Sequence, residues 1–257
     1  MVVVIVFLTI FAPLIAPYGP MTRVWEDKLQ PPSVQHIFGT DDTGGDIFSR
    51  ILYAYQLDLS MALTVVILAT LIGIPLGAAA GFLGGKSDET IMRITDVFLA
   101  IPSLILAMAI GTVMGRTPTN LVIALAVTWW PAYARLIRGQ VLVEKQKLYV
   151  EAARASGAGR ARVLFRHVLP NSIYPVVVNA TLDLGAVTLT VAALSFLGFG
   201  VQPGAAELGR MVADGSQYIF NNPWIVTFPG LAILFASLGL NLVGDGLRDI
   251  MDPRLRR

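Results

Sequence analysis

Cysteine is absent from all 257 residues, and histidine occurs only twice, at His36 and His167. Disulfide staples and thiolate metal sites are therefore excluded, and a His-rich catalytic metal site goes with them. Charge is scarce as well: 14% of the residues are Asp, Glu, Lys or Arg, against 55% hydrophobic. Soluble domains carry about a quarter charged residues, so the deficit points to lipid as the solvent. A net charge of +2 gives no footing for nucleic-acid binding, and where the charges sit matters more than their sum. The alternation of apolar and polar residues that marks a membrane β-barrel is missing too.

What is present is a set of long uncharged runs. Residues 1–22, 59–85, 97–115, 117–134 and 215–244 carry no charge, and 168–206 carry only Asp183. Each holds a helix of about 20 residues, the length that crosses a hydrocarbon core about 30 Å thick. A spanning helix also satisfies its own backbone hydrogen bonds. The expectation is an all-α integral membrane protein with about six transmembrane helices.

The opening "MVVVIVFLTIFAPLIAP" has no basic segment before its apolar run and no clean small-residue cleavage site. It reads as a first membrane span over 1–16, not as a cleaved signal peptide. Pro17, Pro20, Pro31 and Pro32 then break the chain into a long external loop over 17–56. The membrane core is expected over 57–250 with a basic loop at 144–171, and 251–257 forms a tail.

Lys and Arg orient these segments. With the N-terminus inside, fourteen of the nineteen basic residues fall on inner segments, and only Arg23, Lys28, Arg50, Arg116 and Arg210 fall outside. Inner loops of membrane proteins carry the excess of Lys and Arg, so both termini and the basic loop are expected in the cytoplasm. A second external loop covers 200–223, where Glu207 and Asp214 are candidate contacts for an outside partner and Trp224 a candidate interfacial anchor.

Within the second uncharged run, Gly73, Gly77, Gly81 and Gly85 recur every four residues. On a helix they form one stripe that lets another helix approach closely, and Pro75 among them implies a kink. "GGKS" at 84–87 resembles the end of a phosphate-binding loop, but Ala80 stands where the first Gly is required and no strand precedes it, so no nucleotide site is expected in this chain. Asp183 interrupts the fifth run near its middle. An acid in the membrane marks a pathway or a polar pairing within the bundle, with Asn179 one turn before it as the local partner.

"EAARASGAGRARVLFRHVLPN" at 151–171 breaks the oily pattern with four Arg residues and His167. It reads as a short helix stopped at Gly157, whose freedom at positive φ suits a helix C-terminus, followed by a second helix ending at Pro170. Ala152, Ala153 and Ala155 give a small surface able to enter a groove. A solvated inner loop would explain the arginines but not the Ala–Gly pattern.

Glu151, Ala152, Ala153, Gly157, Leu169 and Pro170 together resemble the EAA signature of permeases of binding-protein-dependent ABC importers. "FGTDDTGGDIFSR", "IMRITDVFLAIPSLILA", "YARLIRGQVL", "ALSFLGFGVQP" and "NLVGDGLRDIMDPRLR" extend the similarity over almost the whole chain, toward the C-type permease of the dipeptide/oligopeptide/nickel branch. Two departures stand out. Gly44-Gly45-Asp46 replaces the usual Gly-Arg-Asp, removing a basic group, and Val191 stands where many members carry Glu.

The resemblance implies a type I ABC importer permease fold and a non-catalytic subunit of the cell membrane. It implies pairing with a homologous permease, two ATPase subunits that bind ATP and Mg, and an external binding protein; this chain itself would hold no cofactor or metal. Glu151, Ala152, Ala153, Gly157, Arg160, Arg166, Leu169 and Pro170 would form the coupling helix in an ATPase groove. Asp183 and Asn179 would face the substrate pathway. The substrate class it suggests is di- or oligopeptides, with nickel chelates, glutathione and oligosaccharides as alternatives. A proton-coupled secondary transporter would show several buried acids and internal repeats, and a membrane hydrolase a nucleophile–base set; neither pattern is visible in the sequence.

Overall fold

The structure, a computed structural model, describes residues 2–251. The tail expected at 251–257 lies, beyond Met251, outside the described residues. No strand occurs among those described; a single antiparallel bridge pairs Thr40 with Asp46.

The N-terminal apolar run forms α1 (Val2–Ile10) and α2 (Ala12–Ile15), interrupted just ahead of Pro13. At about 1.5 Å per residue neither piece is long enough to cross a membrane alone, so the full span expected over 1–16 is here a short, broken helix. Next comes α3 (Ile47–Leu83), 37 residues long. Its start corrects the expected loop boundary: the loop ends at Asp46, and residues 47–56 are already helical. Asp46 sets that start, because its Oδ2 accepts the Ser49 amide at 2.8 Å as an N-cap.

Helix α3 stops at Gly84 (φ 70°). A second correction follows at α4 (Gly85–Ala100) and α5 (Ser103–Met114), which meet at an angle of 89°. Residues 97–115 were expected as one straight span, but Pro102 cannot continue the ladder and Ile101 before it is extended. Beyond the bend run α6 (Pro118–Glu144), the small helices α7 (Leu148–Ala155), α8 (Arg160–Val163) and α9 (Leu169–Ser172), α10 (Tyr174–Phe196), α11 (Leu208–Gly215) and α12 (Trp224–Met251). Four of these, α3, α6, α10 and α12, are long and apolar enough to span, and α4 with α5 makes a fifth if the bent pair counts as one. The sixth expected span is the short α1–α2 segment.

Packing centres on α3 against α6. A methyl group on Gly73 would lie 2.7 Å from the Trp130 carbonyl oxygen, one on Gly81 2.9 Å from that of Arg138, and one on Gly77 would overlap the Ala134 carbonyl. The three glycines thus let two backbones touch. Gly85 lies outside this seam: it follows the helix end, at φ 54°, with nothing near it. Buried side chains fill three clusters. Val65, Leu121, Leu125, Val187 and Leu194 join α3, α6 and α10. Ile137, Val141, Val150, Val163 and Val168 seat the inner loop on α6. Ile47, Ile51, Leu208 and Ile225 close the outer end.

Candidate functional site

The inner loop is built by a helix stop. Ala158 N–H donates to the Ala153 carbonyl at 3.0 Å and Gly157 N–H to the Arg154 carbonyl at 3.0 Å. This 6→1 and 5→2 pair closes α7 with Gly157 at φ 80°. No atom lies within 4 Å of the place a Cβ would occupy there, so conformation, not space, demands the glycine. The break expected at Gly157 therefore separates α7 from α8.

Downstream, the chain from Leu164 to Val168 makes one wider π-type turn, with Leu169 N–H donating to the Leu164 carbonyl. Pro170 lacks a donor, and Asn171 Nδ2–H donates to the His167 carbonyl at 2.6 Å. The loop is held firmly on its membrane side. Val150, Val163 and Val168 are buried, Lys147 Nζ lies 2.5 Å from Glu144 Oε1, and Tyr149 Oη lies 2.8 Å from Glu144 Oε2 and 3.2 Å from the His167 carbonyl.

The other side is open. Glu151, Ala152, Arg160, Arg166 and Pro170 are exposed, and Ala153 and Leu169 are half-buried. Leu148 and Phe165 add exposed apolar surface. Among the described residues Glu151, Arg154, Arg160, Arg162 and Arg166 make no ion pair. The arrangement is a rigid two-helix platform presenting small, apolar and basic groups away from the bundle.

Behind it, Arg138 holds Asp88 of α4 through two hydrogen bonds of 2.5 and 2.6 Å, and Lys145 Nζ reaches the Gly81 carbonyl at 2.6 Å. These contacts tie α6, and the residue that follows it at the entry to the platform, to α4 and α3.

In the span, Asp183 Oδ2 accepts Tyr133 Oη–H at 2.6 Å and Asn179 Nδ2–H at 2.9 Å. The sequence pairs Asp183 with Asn179, one helical turn apart; Tyr133, from α6, had no signal because it lies fifty positions away. A cavity of 490 Å³ opens beside Asn179, lined also by Leu136, Tyr174, Leu182 and Arg248.

The outer end is a polar knot. Asp41 accepts the Gly45 and Thr43 amides at 2.9 and 2.8 Å and pairs with Arg50 and with Arg23, the latter at 3.4 Å. Burial pushes the Asp41 carboxyl up, but Arg50 and the Gly45 and Thr43 donors outweigh it and hold it below the usual carboxylate range. Arg50 Nη2 donates to the Gly204 and Ala205 carbonyls at 3.1 and 3.0 Å, and Arg23 to Gly204 at 2.7 Å. A methyl group on Gly45 would collide with the Arg23 guanidinium. The Arg23 guanidinium thus fills the space beside Gly45.

His36 lies buried between Asp46, 2.9 Å from Nδ1, and Asp27, 3.5 Å from Nε2. Trp224 Nε1 donates to the Thr40 carbonyl at 3.3 Å, so it ties two loops together. A cavity of 540 Å³ lined by Asp42, Arg50, Arg210 and Asp214 opens between them. Glu207, an expected outside contact, is fully buried. It caps α11, accepting the Gly209 and Arg210 amides at 3.1 and 2.6 Å.

The family described as "Binding-protein-dependent transport system inner membrane component" matches residues 73–257, and "N-terminal TM domain of oligopeptide transport permease C" matches residues 1–32. The probable D,D-dipeptide transport system permease protein DdpC of Escherichia coli K12 is 44% identical over 253 residues, 98% of this chain and 85% of that protein. The di/tripeptide transport system permease protein DppC of Pseudomonas aeruginosa UCBPP-PA14 is 44% identical over 258 residues, with the same coverage of 98% and 85%. In fold, the inward-facing MetNI methionine ABC transporter aligns with a TM-score of 0.66 at 20% identity, covering 80% of this chain and 98% of its own.

Proposed function

Because this chain belongs to the family of binding-protein-dependent transport system inner membrane components, we propose that it forms one half of the translocation path of an ATP-driven peptide importer. The observation that carries the reading is the platform at 148–172, anchored on its membrane side and unpartnered on its exposed face. The peptide class rests on the relatives, which are permeases of dipeptide and di/tripeptide systems.

In this reading the chain performs no catalysis. A homologous permease completes the pathway, two ATPase subunits bind ATP and Mg, and a soluble binding protein delivers substrate to the outer knot. Glu151, Ala152, Ala153, Gly157, Arg160, Arg166, Leu169 and Pro170 lie in the ATPase groove. Closure of the ATPases on ATP pulls the platform, and α6 carries the tilt to Asp183 and Asn179 on the pathway. The two arrangements are states of one equilibrium that nucleotide and substrate bias.

The test is reconstitution of the complex in lipid vesicles with its binding protein. Mass spectrometry of the bound ligand is expected to find short peptides, and vesicle uptake of those peptides to require ATP. Recovery of a non-peptide ligand with ATP-driven uptake of it would retain the importer and remove the peptide assignment.

A further inference from the structure

At the outer end, three helices bring two acids together with no cation between them. Asp58 of α3 is 1% exposed and Glu207, at the start of α11, is 0% exposed. Asp58 Oδ2 accepts the Leu208 amide at 3.2 Å, which sets its carboxyl beside the residue that follows Glu207 in the chain. Asp58 Oδ1 is buried without a partner. Ser195 Oγ of α10 is buried too and lies against Glu207 without a hydrogen bond of ordinary geometry.

The surroundings offer one compensating charge, the Arg210 guanidinium, which pulls on Glu207 from α11 while paired with Asp214, and burial outweighs it. On α3, Tyr55 is one turn from Asp58 and gives its hydroxyl proton to the Ala232 carbonyl at 2.9 Å. Arg50, two turns away, is spent on Asp41, Gly204 and Ala205. On α11, Arg210 turns its guanidinium to Asp214. From α10 the contact is Ser195, and α12 has no charged residue before Asp245. The packing around the pair is tight: a methyl group on Gly209 would overlap the Ala192 carbonyl, and one on Gly200 would overlap Ser195 Oγ.

Two bare carboxylates in such a site are strongly unfavourable, and paired acids of this kind retain a proton. We propose that Asp58 and Glu207 form a proton-binding pair that carries one proton between its carboxyls and so clamps α11 and the outer loop onto α3. With the proton in place the pair bears one negative charge, taken up by the Leu208, Gly209 and Arg210 amides. Loss of the proton leaves two buried anions, which gain hydration only if α11 lifts away. The pair is thus a latch on the outer face that loosens as pH rises.

The sign follows from Glu207, whose carboxyl burial pushes from 4.5 up to about 7, against the pull of the Arg210 and Gly209 amides. A raised carboxyl contributes stability that is complete below its unfolded value and is lost as pH climbs through the folded one. The window therefore opens above about 4.5 and closes where the pair gives up its shared proton.

The experiment uses the assembled complex in lipid. Infrared spectra are expected to show the carbonyl stretch of a protonated carboxyl, lost on raising the pH through neutrality and absent from Asp58→Asn. Between about pH 6 and about pH 8 the thermal midpoint of the wild type is expected to fall by about 2–4 °C. Asp58→Asn, whose amide donates to Glu207 at every pH, is expected to show no such fall. A wild-type spectrum without that band overturns the proposal whether or not a variant folds. So does an Asp58→Asn profile that tracks the wild type.

Discussion

Individual glycines divide into those that need their conformation and those that need their space, and the two kinds respond differently to substitution. At Gly157 there is room but φ is 80°, a region that costs ordinary L-residues about 1–2 kcal/mol and a β-branched one more. Gly157→Val is expected to abolish co-purification of the ATPase subunits and uptake, while Gly157→Asn, which tolerates positive φ, keeps most of both. Equal loss in the two variants would mean that surface at 157, not the helix stop, is what the partner reads. At Gly77 φ is ordinary but the Ala134 carbonyl fills the space. Gly77→Ala is expected to lower stability by about 1–3 kcal/mol through overpacking, whereas Gly139→Ala, with open space around it, is neutral or stabilising; thermal unfolding of the three proteins checks the contrast. Both roles were legible from spacing and from neighbours in the chain. Gly85 was not, because the four-residue rhythm continues past the point where α3 ends. Glu207 misled for the opposite reason: a polar loop in sequence folds into a buried cap once α3 and α10 close over it.

Among the helices, α6 gathers the rest, receiving the glycine face of α3, the carboxylate of Asp88 from α4 and Asp183 from α10. Its Arg138 is the less exposed of two charged struts to α4, with side-chain exposures of 31% for Arg138 and 18% for Asp88, against 55% and 62% for Arg135 and Asp96. Arg138→Leu leaves Asp88 unpaired and is expected to cost about 1 kcal/mol, a value kept low by solvent screening. Arg138→Lys keeps the charge but not the two-point fork, so it is expected to fall between the wild type and Leu in a melt. A Lys variant no better than Leu would show that geometry alone matters there. That α6 is a helix was plain from its uncharged run; its start is capped by Thr117, whose hydroxyl accepts the Asn120 amide. Its role as hub was not, since partners fifty positions apart leave no periodic trace. The bend between α4 and α5 was written at Pro102, yet an uncharged run counts the same whether it is straight or broken.

As a whole molecule the chain leaves much of its apolar surface uncovered by itself. Along α12, Leu231, Leu234, Phe235, Leu238 and Leu242 are exposed on one stripe, which only lipid or another apolar helix suits. Composition announced that much, and the distribution of Lys and Arg predicts a sidedness, because insertion reads the charges flanking each span. The joining of the two outer loops through Arg23 and Arg50 was hidden, since it exists only after the spans have packed. Sidedness can be tested on this chain directly because it contains no cysteine. Ser87, in the first turn of α4, and Ser216, just past α11, are both exposed, so a single cysteine at either is reachable by a charged thiol reagent. Ser87 is preferable to Ser156 as the inner probe, because 156 lies on the platform where an ATPase would shield it. With cytoplasmic termini, Ser216→Cys is labelled in intact spheroplasts and Ser87→Cys only after the membrane is opened. The reverse order would place the basic platform outside, where no ATP-hydrolysing subunit works, and the coupling role would fall with the orientation.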